Sequence, residues 1–131
     1  MTDLPPKIAE RYRRAAQQNR LLPETAAAIL RAAARYRRLD EGSGPRGYYE
    51  RTDEEGLDDK GGRWLWETVT VDTKIIAVKQ IEVTSDGAVR RYSWRWLHDR
   101  DGFLTDQPLY PEEEGLHLIT RDRFYEVWDP A

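Results

Sequence analysis

The chain of 131 residues contains no cysteine, so disulfides, thiolate nucleophiles and thiolate metal ligands are all excluded. Histidine is scarce. His98 and His117 stand far apart, without HxxxH or HExxH spacing, so the sequence gives no recognisable metal site. His98 precedes Asp99, but neighbours on a strand point to opposite faces, which disfavours a base-and-orienter pair. The serines lack a Gly-x-Ser-x-Gly elbow: Ser43 falls in a linker, Ser85 in a turn and Ser93 on a strand. No glycine loop that could cradle phosphate is present. The acidic stretch from Asp53 to Asp59 lacks the ligand spacing and terminal glutamate of an EF-hand loop, so it reads as solvated. No apolar run approaches the ~20 residues of a membrane-spanning helix. Residues Met1 to Pro6 lack a basic-then-apolar leader pattern, and a cytoplasmic location is the expectation. Catalytic, cofactor and metal residues are therefore expected to be none.

What the chain does have is charge, at 34% of residues, and large rings, with five Trp and seven Tyr. Low hydrophobicity with high charge can mean disorder, but only where aromatics are few. Rings bury much apolar area per residue, so a folded core is expected. The net charge of −3 hides an asymmetry. Residues 1–40 carry nine Lys/Arg against four Asp/Glu, whereas residues 41–131 carry twelve against twenty. Such a chain can neutralise itself or offer opposite faces to different partners.

The fold class read from these patterns is α+β: a helical hairpin over 1–40, an acidic Gly-rich linker over 41–62, then a sheet of three to four antiparallel strands over 63–131. A short C-terminal helix packs that sheet, and the whole is expected to form one compact domain. Pro5-Pro6 can open the first helix, Leu4, Ile8, Tyr12 and Ala15 share one of its faces, and Asn19 ends it. Pro23 and Glu24 open the second, whose stripe is Ala26, Ile29, Ala33 and Tyr36, with Arg35, Arg37 and Arg38 in its last turn. The alanines at 26–28 and 32–34 permit close approach by another helix, including one from a second copy.

Trp64 and Trp66 alternate with Leu65 and Glu67, while Val69 and Val71 have the opposite parity, which predicts a bulge or a change of face. Asp86-Gly87 predicts a hairpin with a two-residue loop. That register sets Ile81 opposite Tyr92, Ala77 opposite Trp96 and Glu82 opposite Arg91, with Trp94 against the stem of Lys79 on an aromatic face. Phe103 and Leu104 suggest another short strand, and Pro108 to Gly115 a loop. Thr120 is a helix cap, with Ile119 and Phe124 forming a hydrophobic staple, and Pro130 a stop.

Arginines interleaved with rings from Arg90 to His98 invite a single-stranded nucleic-acid reading. Alternation, however, places rings and arginines on opposite faces, so the rings are expected in the core. The basic helices give a second nucleic-acid reading, but Ala26 to Ala28 occupy the positions where a helix-turn-helix reads bases. The candidate interaction surface comprises Arg31, Arg35, Arg38, Arg91 and Arg95.

Lys79 to Val83, the Ser85-Asp86-Gly87 turn and the closing Ile119 to Trp128 resemble a group of small bacterial α+β domains that pair a strand–DG–strand hairpin with an ITxxxFxxVW-type terminal helix. That resemblance covers residues 74–131 and implies a bacterial or phage accessory protein without an assigned activity. The favoured expectation is a non-enzymatic protein-binding module, of adaptor or immunity type, whose acidic face meets a basic partner or which self-associates through the Ala-rich helix. The alternatives are a nucleic-acid-associated protein using the basic helices, and a small hydrolase or nuclease with a scattered site.

Overall fold

The computed structural model describes residues 4–52 and 62–129. Two helices, α1 (Pro6–Gln18) and α2 (Pro23–Glu41), precede strands β1 (Arg46–Thr52), β2 (Gly62–Val71), β3 (Lys74–Thr84) and β4 (Val89–Tyr92). A single turn of helix α3 (Pro111–Glu114), the two-residue strand β5 (His117–Leu118) and helix α4 (Arg121–Trp128) follow. The sheet is antiparallel throughout, in the order β4-β3-β2-β1-β5. The chain is α+β. No helix among the described residues is long and apolar enough to cross a membrane.

Both helices begin where the prolines put them, since proline's missing donor is one the first turn leaves unused. Asn19 caps the end of α1. Helix α2 runs on to Glu41, so of the three expected arginines only Arg38 lies in its last turn. Residues Leu4, Ala9 and Tyr12 of the first segment and Ala33, Ala34 and Tyr36 of α2 are buried against Trp66, Ala77, Tyr92 and Trp94 of the sheet side. The small side chains of α2 thus let it lie close to its own sheet.

The sheet is wider than three or four strands because Arg46–Thr52, inside the expected linker, pairs along its whole length with β2. Tyr48 and Tyr49 are adjacent and so face opposite sides: Tyr48 packs beside Phe124, and Tyr49 packs under the helical hairpin. The acidic segment 53–61, and with it the calcium-loop question, lies outside the described residues, as does Pro130. The expected bulge is present. Glu67 pairs with Lys79 and Thr68 with Ala77, so Val78 is the extra residue, fully buried.

The β3–β4 hairpin differs from expectation by one residue. Gln80 faces Tyr92, Ile81 faces Arg91 and Glu82 faces Arg90. The loop holds three residues, Ser85-Asp86-Gly87, closed by Thr84 N–H donating to Ala88 O at 2.9 Å, with Gly87 at φ 90°. Thr84 and Asp86 side chains bond to each other, and both accept from Ala88 N–H, which holds this wider loop. A one-residue slip moves side chains to the opposite face. Ile81 therefore packs with Leu65 and Phe124 on one side, while Tyr92 packs with the helices on the other. Lys79 likewise points away from Trp94. Both faces of the sheet are covered, giving helix, sheet and helix in layers.

Strand β4 stops at Tyr92 rather than continuing to His98. Ser93 and Trp96 exchange backbone bonds of 3.2 and 3.0 Å across a tight turn at Trp94-Arg95. His98 and Phe103 form only an isolated bridge. Pro111–Glu114, expected as loop, makes one helical turn that ends at the left-handed Gly115. Helix α4 matches its capping signals. Thr120 Oγ1 accepts from Arg123 N–H at 3.1 Å, and Ile119 and Phe124 share the second core.

Candidate functional site

A cleft of about 540 Å³ opens between the turn joining α1 to α2 and the segment 96–101. Tyr12 builds it. From the buried face of α1 its hydroxyl donates to Trp94 O at 2.6 Å and accepts from Leu97 N–H at 3.0 Å, fastening the Ser93–Trp96 turn against the hairpin. Burial raises this phenol well above its ordinary pKa, so the hydroxyl stays a donor. Ala15, Ala16, Leu21, Ala26 and Ile29 form an apolar floor because the hairpin turns back there on small and aliphatic residues.

The opposite rim is His98, Asp99, Arg100 and Asp101. Asp99 Oδ1 accepts from Asp101 N–H at 2.8 Å, Gly102 N–H at 3.0 Å and the Tyr92 hydroxyl at 2.9 Å. Burial pushes this carboxyl up, but those donors outweigh it and hold it below the ordinary aspartate value. The Tyr92 phenol is driven the other way, by burial and then by Asp99 beside it. His98 is exposed on this rim, whereas His117 sits on β5 at the far edge of the sheet, so the fold separates the two histidines. Ser43 and Ser85 are exposed; Ser93 is buried, and its hydroxyl accepts from Arg95 N–H at 3.2 Å.

Trp96 forms a wall shared with a second groove of about 770 Å³ along the outer face of α1. The indole stacks on Tyr12 at 5.5 Å between centroids, and the Arg11 guanidinium lies 4.0 Å above its ring. The groove is lined by the exposed Lys7, Arg11, Arg13 and Arg14, and among the described residues Glu10 is the one acid beside them, pairing with Arg14 at 3.3 Å.

A separate charged cluster lies beside the bulge. Glu67 Oε1 receives the Tyr125 hydroxyl at 2.5 Å and Lys79 Nζ at 2.9 Å, and its Oε2 receives the Tyr48 hydroxyl at 2.9 Å. Lys79 also donates to Asp40 at 3.0 and 3.1 Å, and Arg46 donates to Asp40 Oδ1 at 2.9 Å and to the Asp40 carbonyl. Burial pushes the Glu67 carboxyl up, yet the Tyr125 and Tyr48 hydroxyls and the Lys79 ammonium pull it below its ordinary value. Burial first, then the Glu67 carboxylate, pushes the Tyr48 phenol up to about 12. With each charge met by an internal partner, the cluster acts as a clamp joining α2, the sheet and α4.

The five arginines of the expected surface are dispersed. Arg31, Arg35 and Arg38 are exposed on α2, and Arg35 lies 5.9 Å from the Tyr36 ring. Arg91 is half-buried and donates to Val127 O and Trp128 O, each at 2.8 Å, which satisfies carbonyls at the end of α4. Arg95 lies over the Trp94 ring at 4.4 Å. Of the three rings on which a nucleic-acid platform would depend, Tyr92 and Trp94 are 0% and 4% exposed and Trp96 is half-buried. The cleft itself escaped sequence reasoning, because Tyr12 and Leu97 meet only through the fold. The charged cluster did leave a signal: Glu67 and Lys79 interrupt otherwise apolar strands, and such charges call for partners.

Comparison with family models, with curated proteins and with solved structures gave no match.

Proposed function

We propose that this chain is a non-enzymatic protein-binding module that seats an apolar side chain of its partner in the cleft between the α1–α2 turn and the 96–101 segment. The carrying observation is the cleft's chemistry: an apolar floor and an indole wall, with the Asp99 carboxylate of the rim and the Tyr12 hydroxyl both committed to internal bonds. Concave, mainly apolar surfaces with a few polar groups are the usual form of a binding site. A general acid or base needs a pKa near the working pH and an open path to its substrate. Asp99 is held low, and Tyr12 and Tyr92 are held high, so each is displaced away from neutrality. Asp99 is also aimed into its own turn rather than at His98. An adaptor or immunity-type accessory protein of the bacterial cytoplasm fits this reading.

Filling the cleft tests it. Peptides selected on the full chain from a random displayed library should share an apolar anchor. They should lose about tenfold or more in affinity to Ala26→Trp, a change that narrows the cleft, as expected when a buried anchor is excluded. Asp122→Asn on distant α4 should leave binding unchanged, and circular dichroism should show both variants folded. Selected peptides indifferent to Ala26→Trp would remove the cleft from the reading. Turnover of generic ester or phosphodiester substrates that disappears in His98→Ala would replace it with an enzyme.

A further inference from the structure

We infer that the groove along the outer face of α1 binds an acidic segment of the same partner, continuous with the apolar anchor held in the cleft. This inference rests on the protein-binding reading and specifies the partner's chemistry. The groove and the cleft are not separate features: Ala15, Gln18 and Trp96 line both. A bound chain can therefore pass from one to the other along Trp96.

Charge chooses the occupant. Lys7, Arg11, Arg13 and Arg14 are all exposed along about two turns of helix, and Glu10 is the one acid among the described residues that line the groove. Lys7 and Arg11 are four residues apart and Arg11 and Arg14 three apart, so like charges face each other on the helix surface. Such pairs destabilise a helix, and an anionic segment laid across them removes the repulsion.

The aromatic geometry separates an acidic peptide from a nucleic acid. Single-stranded nucleic acids gain affinity by stacking bases on open rings. Trp96 is already stacked on Tyr12 and covered by Arg11, while Tyr92 and Trp94 are buried. The groove thus offers cations without a free ring, next to a pocket shaped for an aliphatic or aromatic side chain. An acidic run ending in an apolar residue satisfies both halves.

The test is fluorescence anisotropy on the full chain at low and moderate salt, with a labelled hexaglutamate peptide ending in leucines, its serine-ended counterpart, a hexalysine-leucine peptide and oligothymidylate. The glutamate-leucine peptide should bind best. Lys7→Gln with Arg13→Gln should weaken it about fivefold, and Arg31→Gln with Arg35→Gln, the same charge removed from α2, less than about twofold. Ala26→Trp should abolish the advantage of leucine over serine while leaving hexaglutamate binding. Equal losses from the two arginine-bearing pairs would overturn the groove and leave only general charge. Tighter binding of oligothymidylate, weakened by the Lys7/Arg13 pair, would make the groove a nucleic-acid site instead. Salt-sensitive self-association that the glutamate peptide competes away would make a second copy the occupant. A leucine effect that persists while the Lys7/Arg13 pair does nothing overturns this inference but keeps the cleft. A Lys7/Arg13 effect without any response to Ala26→Trp does the reverse.

Discussion

Glu67 is a carboxylate with almost no solvent, its side chain only 4% exposed, and four internal donors, from Tyr48, Lys79, Tyr125 and Arg46, stand in for the water it has lost. Removing one partner of a buried pair costs more than the pair contributes, because the remaining charge is stranded. Glu67→Gln should therefore destabilise the fold by about 3 kcal/mol in chemical denaturation, with the Lys79 ammonium left to Asp40 alone. Its acid dependence follows from the sign of the shift. The folded carboxyl ionises below its ordinary value, so its contribution is complete above the usual glutamate range and is lost as the pH falls through the depressed folded value. Stability of the unaltered chain should drop over that window, and Glu67→Gln should flatten the drop. Equally steep acid limbs in the two proteins would show that other carboxylates govern it.

At the scale of elements, α4 is the most exposed to a single change. Its eight residues are too few to be helical alone, so the cap and the packing of Phe124 must hold it together. Thr120→Ala should cost about 1 kcal/mol and speed amide exchange in 121–128 before it affects β2 or β3. The same element explains what the sequence could and could not disclose. Caps, staples and N-terminal prolines are local signals, so α1, α2 and α4 were legible, as was the parity change that marks the bulge. Strand β1 was not, because Tyr48 and Tyr49 face opposite layers and mimic no alternation. The hairpin register was not, because Asp86-Gly87 suits a loop of two or three residues, and the choice fell to the side chains of Thr84 and Asp86. The cleft was least legible: Trp96 could be recognised as a packed ring, but its role as a wall depends on Tyr12, over eighty residues earlier.

For the whole molecule, the decisive feature is that the clamp crosses layers. Asp40 from α2, Arg46 from β1, Glu67 from β2, Lys79 from β3 and Tyr125 from α4 meet in one cluster. The helical hairpin cannot leave without taking Asp40 from Lys79 and Arg46, nor α4 without taking the Tyr125 hydroxyl from Glu67. Indole fluorescence, which reports rings in both cores, and far-ultraviolet dichroism should therefore trace one coincident unfolding transition. A first phase in which indole signal is lost while helical signal persists would show that the layers separate independently.

The sheet order carries a consequence for synthesis. Strand β5 closes the outer edge of β1, and α4 covers Leu65 and Ile81, yet both are made after every other strand. While the chain is still being extended, β1 offers an unpaired rim and one side of the sheet stays greasy and open. Nascent chains stalled ahead of residue 117 should consequently recruit holdase chaperones and join edge to edge, and that hazard should end abruptly once residues 117–128 have emerged and docked.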